Sequence, residues 1–303
     1  MSQAINNTFF QTSAHAKCIL AGEHSVLYGN PALVLPVMNK SITLSYQEAE
    51  NEIEVISNLP YEEVFLTLFW GALQKGLQNL HKESYPMHGK FSFHNNIEMG
   101  VGLGFSAALC VVITRWLIWK HWLNKAKLFP FAHQLEDKFH GKSSGVDIAG
   151  AISNHLLHFE KLGNKRYEIT AKWKPKLYLS YSGETKMTDV AINKVNTFRK
   201  AHPNLAKHIN DEMQESVFMI EEALQKNQKE GLPMLVSGIE QAKHCFEEWG
   251  LILPELQHHI DYLYNLGAIA VKPTGAGLGG YVISLWEEEP PENISLELIK
   301  INV

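Results

Sequence analysis

The sequence predicts an α+β fold in two halves, each built of two layers, and three observations lead there. Strand-like and helical stretches alternate without the even βαβ rhythm of a parallel sheet. Hydrophobic residues make up 45% of the chain and charged residues 19%, enough for a sizeable core and far from a disordered or disulfide-scaffold composition. At 303 residues the chain exceeds the usual domain of about 100 to 200 residues, so we expect one domain over 1–170 and a second over 171–303.

The elements follow in order. Between Lys17 and Tyr46, three β-rich runs (Cys18 to Leu20, Ala32 to Val37, Ile42 to Tyr46) are separated by Gly, Asn and Pro, which predicts a hairpin-rich opening. Tyr61 to His81 places Val64, Leu68, Leu73, Leu77 and Leu80 at helical spacing, and Lys90 to His94 reads as a strand. Ala107 to Leu123 is the most apolar run. Arg115 and Lys120-His121 interrupt it, so it predicts a buried helix ending near Lys125 rather than a membrane span. Pro130 can open the next helix as its first residue, with Leu135 and Phe139 on the buried side and a stop at His140-Gly141. Lys142 to Asn154 reads as a Ser-rich loop entering a short helix, and Leu156 to Thr170 as a hairpin turning at Gly163-Asn164. Lys176 to Tyr181 is a strand, Thr188 to Trp249 is mostly helical, and strands at Ala268 to Val271 and Tyr281 to Trp286 flank a glycine loop.

A net charge of −5 supplies no basic field for a nucleic-acid backbone, so any polyanion must be held locally and no nucleic-acid partner is expected. Cys18, Cys110 and Cys245 lie far apart with no CxxC pair, which predicts reduced thiols. Met1 to Gln11 lacks the basic start and apolar stretch of a secretory signal, so the expectation is a cytoplasmic protein with no membrane partner. The tryptophans Trp116, Trp119 and Trp122 are expected to pack in a core or interface, and His15, His140 and His258-His259 to be surface or loop residues.

Two glycine loops carry the functional signal. Gly100, Gly102 and Gly104 precede Ser106 and the strong helix, so backbone N–H groups and the helix amino terminus can converge on an anion. The spacing is neither the Walker pattern nor GxGxxG, and glycine content alone also fits a tight strand-to-helix turn with no ligand. The second loop, Gly275 to Gly280, matches GxGxxG, yet the β-patterned run after it removes the helix a dinucleotide site needs. A glycine-rich link between two strands lets something approach the backbone closely. Between the loops lie Glu136 and, 11 residues on, Asp147, while Lys17 starts the first apolar strand. Phosphoryl transfer uses this set: one carboxylate holding Mg²⁺, another beside the attacking hydroxyl, and a cation for developing charge.

In company, these residues resemble the GHMP kinases. Lys17-Cys-Ile-Leu-Ala-Gly-Glu-His24 is similar to the family's first motif, Gly102-Leu-Gly-Phe-Ser-Ala-Ala108 to its phosphate loop GLGSSAA, and Lys272-Pro-Thr-Gly-Ala-Gly-Leu-Gly-Gly280 to its third. The resemblance implies a ribosomal protein S5 domain 2-like first domain, a ferredoxin-like second one, and a site in the cleft between them. It implies ATP and Mg²⁺ as cofactors, with Gly100, Gly102, Leu103, Gly104, Phe105, Ser106 and Ala107 at the nucleotide and Ser106 with Glu136 at the metal. Asp147, in the family's His-Gly-x-x-Ser-Gly-x-Asp pattern, corresponds to the catalytic aspartate, and Lys17 to the lysine that steadies it. Glu23, His24, Lys186, Thr188, Gly275, Ala276 and Gly277 match positions at the acceptor.

Within the family the likeness is greatest to the branch acting on mevalonate, which implies ATP-dependent phosphorylation of its 5-hydroxyl. The alternatives are phosphomevalonate or a sugar as acceptor, and homodimerisation stays open. Four departures stand out. Phe105 replaces the loop's first serine, which would set an apolar ring beside the phosphates. Met99 and the lack of a Pro break the lead-in. Ile148 stands where the mevalonate branch carries Asn, and Lys186 where it carries Arg, which keeps the charge but loses the bidentate fork. The adenine-binding residues carry no motif; Leu66 to Leu80 offers candidates.

Overall fold

The computed structural model describes residues 9–58, 61–141, 143–183 and 188–303. Strand β1 (Phe9–Ala21) runs antiparallel along β2 (Pro31–Glu52), a strand of 22 residues. The runs expected separately at Ala32–Val37 and Ile42–Tyr46 are therefore one strand. Between them the register shifts, His15 pairing with Ser41 and Ala16 with Val37, so the polar residues that suggested a turn form an irregularity in a continuing ladder. Strand β3 (Glu54–Ser57), too short to stand out in the sequence, pairs parallel with β4 (His88–Asn95). With the hairpin β5 (Leu157–Glu160) and β6 (Lys165–Glu168), the sheet order is β3-β4-β2-β5-β6, β1 lying on β2.

Four helices pack on this sheet: α1 (Glu62–Asn79), α2 (Phe105–Trp119), α3 (Leu128–His140) and α4 (Val146–Ile152). Helices α2 and α4 lie against β1 and β2, with α1 and α3 packed on α2. Eleven of the 15 residues of α2 are buried, as its all-round apolar sequence requires. It stops at Trp119 instead of near Lys125, and His121 soon after takes a φ of 58° in the left-handed region. Helix α3 starts at Leu128, so Pro130 falls inside the first turn, where a missing N–H leaves no bond unmade. Trp116 packs 5.3 Å from Tyr46 and 5.0 Å from Phe91, ring centre to ring centre, in the core.

The second sheet is antiparallel, ordered β10-β7-β9-β8, from β7 (Lys176–Tyr181), β8 (Ala270–Pro273), β9 (Tyr281–Trp286) and β10 (Ile299–Ile301). Its helices are α5 (Thr188–Ala201), α6 (Pro203–Gln225), α7 (Gln228–Glu248) and α8 (Pro254–Asn265). Helix α8 and strand β10 lie outside the elements expected from the sequence, and β8 begins two residues after the start of the expected strand at Ala268. Helix α6 packs along α7 and also touches β1 and β2, so helices of the second half close over the first sheet. His259, expected on the surface or in a loop, lies on α8 with Nε2 2.8 Å from Ser180 Oγ, and His15 lies half-buried on β1. All three cysteines are free buried thiols, and among the described residues no helix is long and apolar enough to cross a membrane.

Candidate active site

Strand β1 brings Lys17 to the phosphate loop by two hydrogen bonds: its backbone N–H donates to Leu103 O at 2.9 Å and its Nζ to Gly102 O at 3.1 Å. The same ammonium lies 3.0 Å from Asp147 Oδ1, in the first turn of α4. Room for this lysine comes from absent side chains. A Cβ on Gly104, whose φ is +77°, would stand 2.8 Å from Lys17 Cγ, and one on Gly150 would stand 2.8 Å from Lys17 Cβ.

Lys17, Asp147, Glu136 and Ser106 all line one cavity of about 610 Å³. Gly100, Gly102, Gly104 and Phe105 line it from the loop, Glu23 and His24 from the turn after β1, and Thr188, Gly275 and Ala276 from the second half. Leu103, Ala107 and Gly277 do not: Leu103 and Ala107 are buried in the core, and Gly277 faces Leu251 and Phe246. Lys186 lies outside the described residues. The ring of Phe105 is only 5% exposed and meets Phe65 edge-on at 6.4 Å. Instead of standing beside the phosphates it belongs mainly to the core, and little of it reaches the cavity wall.

Glu136 is buried on α3, and burial, reinforced by the nearby Asp147 carboxylate, pushes its carboxyl up to about 8. Ser143 Oγ donates to its Oε2 at 2.9 Å, and among the described residues it has no ion-pair partner. A buried acid outside any ion pair of the described residues, sharing one cavity with a second acid and Ser106, is a hard-oxygen set that fits Mg²⁺. Among the described residues no three His, Cys, Asp or Glu converge, so these residues offer no cage built of such side chains alone. Mg²⁺ held by one or two protein oxygens and completed by phosphates and water is the usual alternative.

The third motif meets the first directly. Lys272 of β8 forms an ion pair with Glu23 in which neither side chain reaches solvent, and burial pushes the Glu23 carboxyl up. Thr274 Oγ1 accepts from Ile19 N at 2.8 Å and donates to Ile19 O at 3.0 Å. His24, at φ 56°, donates from Nε2 to Ala276 O at 2.9 Å and packs edge-on against Trp249. A Cβ on Gly275 would lie 3.5 Å from Gly102 O and one on Gly280 2.8 Å from Val101 O. What approaches the second glycine loop so closely is thus the first. Lys272 and Thr274 belong to the third motif but, like Ser143, carry no individual role in the sequence; a lysine closing the apolar run Ala268-Ile-Ala-Val271 is the available signal.

Residues 67–155 match the profile of the family described as GHMP kinases N terminal domain. The chain carries a GHMP kinase N-terminal domain. Among relatives, the mevalonate kinase of Methanothermobacter thermautotrophicus is 27% identical over 277 residues, covering 90% of this chain and 88% of the relative. The mevalonate kinase of Thermococcus gammatolerans is 24% identical over 305 residues, covering 92% and 90%. Among solved structures, L. major mevalonate kinase in complex with R-mevalonate superposes with a TM-score of 0.79 at 21% identity, covering 99% of this chain and 98% of the other. Streptococcus pneumoniae phosphomevalonate kinase reaches 0.74 at 15% identity, covering 98% and 100%. The GHMP kinase fold thus extends over both sheets, beyond the residues that the profile matches.

Proposed function

We propose that this chain is an ATP-dependent small-molecule kinase that phosphorylates the 5-hydroxyl of mevalonate, giving 5-phosphomevalonate. The 3.0 Å pairing of Lys17 Nζ with Asp147 Oδ1, on the wall of a cavity that the phosphate loop also lines, carries this reading. Asp147 orients the acceptor hydroxyl and takes its proton as the oxygen attacks the γ-phosphorus and the bond to the β-phosphate oxygen breaks. Lys17 holds Asp147 in place through their ion pair, and offers positive charge to the alkoxide as it forms. Glu136 and Ser106 would hold Mg²⁺, which neutralises phosphate charge when bound. Tyr61, Val64 and Leu68 bring apolar surface to the same cavity and suit the adenine base.

Glu23 and His24 line the same cavity and suit the acceptor side, and the relatives named mevalonate kinase favour mevalonate as that acceptor. Ile148, which stands where the mevalonate branch carries Asn, is wholly buried in the core and off the cavity, so it bears on packing and not on acceptor choice. The deciding experiment is a coupled ADP-release assay with mevalonate, phosphomevalonate and galactose. Mg²⁺-dependent turnover with mevalonate is expected; turnover with phosphomevalonate or galactose alone would replace this assignment.

A further inference from the structure

Loop 141–145 stands between the two acids of the site, with α3 ending before it and α4 starting after it. Ser143 occupies the second of the two open positions in the pattern His-Gly-x-x-Ser-Gly-x-Asp, so the family resemblance assigns it nothing. Among the described residues of this loop it is the most heavily tied. Its backbone N–H donates to Asp137 Oδ1 at 2.8 Å, and its carbonyl accepts from Lys161 Nζ at 3.2 Å. His133 Nε2 stands 3.3 Å from the same carbonyl. Thus braced, its hydroxyl reaches Glu136 Oε2 at 2.9 Å, and Ser143 itself lines the cavity.

Resting on the reading of Glu136 as a Mg²⁺ ligand, we infer that Ser143 is a positioning residue for that ligand. A lone carboxyl turns about its Cγ–Cδ bond, and each orientation offers a different oxygen geometry to a cation that tolerates little departure from octahedral. The Ser143 hydroxyl fixes that rotation by occupying one oxygen, Oε2. The backbone contacts bear on residue 143 itself: Asp137 and Lys161 anchor the peptide from which the hydroxyl points to Glu136 Oε2. The neighbouring Ser144 is engaged elsewhere, its Oγ accepting from Val146 N at 3.2 Å at the start of α4.

The test compares Ser143→Ala and Ser143→Thr with the unsubstituted chain. Mn²⁺ binding is titrated by the electron paramagnetic resonance of the free ion, in the presence of a non-hydrolysable ATP analogue. Losing a hydrogen bond to a metal-ligating carboxylate weakens metal affinity about tenfold or more. Ser143→Ala is expected to show that loss and a matching rise in the Mg²⁺ needed for turnover, with the Michaelis constant for the alcohol acceptor unchanged. Ser143→Thr, which keeps the hydroxyl, should restore Mn²⁺ affinity. If Ser143→Ala proves unstable, Ser143→Cys, of similar size but a far weaker donor, serves the same comparison. Mn²⁺ affinity within twofold of the unsubstituted chain in the Ala or Cys variant would overturn the inference. Failure of the unsubstituted chain to bind Mn²⁺ with the analogue would instead overturn the metal role of Glu136, and the inference with it.

Discussion

Lys272 and Glu23, 249 positions apart in the chain, form an ion pair inside the protein, with 0% and 1% of their side chains exposed. It fastens the strand leading into the second glycine loop to the turn that carries His24. Removing one partner of a buried pair strands the other charge, at about 3–5 kcal/mol. Lys272→Met should therefore destabilise the protein by that amount in urea unfolding. The double variant Lys272→Met/Glu23→Gln should lose less than Lys272→Met alone. Strictly additive losses would show that the two groups do not depend on each other.

Asp147 touches Lys17 at the centre of the proposed chemistry. Asp147→Asn keeps the shape but removes the proton acceptor, so kcat should fall by about 10² to 10⁴. Nucleotide affinity, measured by calorimetry, should stay within a few-fold. An Asn variant with near-normal kcat would take the residue out of the reaction.

Burial drives the His24 imidazole down from 6.5 to about 4, the hydrogen bond to Ala276 O opposing this only in part. The unfolded chain takes up the proton near 6.5 while the folded one resists until about 4, so between these values the unfolded state binds more protons. Stability is thus fully present above pH 6.5 and is lost as the pH falls toward 4, by about 3 kcal/mol from this residue. Chemical denaturation across that range should show the slope, and His24→Gln should flatten it. Equal slopes in the two proteins would mean that the acid loss arises elsewhere.

Gly104→Ala places a Cβ 2.8 Å from Lys17 Cγ, at a φ of +77°. Gly163→Ala meets nothing within 4 Å at a φ of +75°. Both should lose about 1–2 kcal/mol of stability from the left-handed conformation. Only the first should also lose kcat, because the Lys17 stem must move away from Asp147. Similar kcat values for the two variants would show that the lysine tolerates displacement.

Much of the fold was legible because local pattern and tertiary demand agree. The run Lys176 to Tyr181 is β7 residue for residue, and Tyr281 to Trp286 is β9, since six-residue runs rich in aromatic and aliphatic β-formers are too short for a helix and suit a buried strand. The long β2 was not legible: Asn39 and Lys40 carry turn chemistry, and only pairing with β1 on one side and β4 on the other keeps the chain extended past them. Strand β10, three residues long, exists because the edge of β7 is there to pair with it.

For the site, the chain alone determined the chemical types and their order: a lysine strand, a glycine loop opening a buried helix, two acids, a second glycine loop. It could not set distances between residues more than a hundred positions apart, because no local preference encodes them. Tertiary packing decided that Lys17 meets Asp147, that Phe105 turns into the core against Phe65, and that the two glycine loops face each other. It also recruited Lys272 and Ser143. A side chain acquires a partner from whatever the opposing element presents once apolar faces have closed, and that closure is a property of the whole chain.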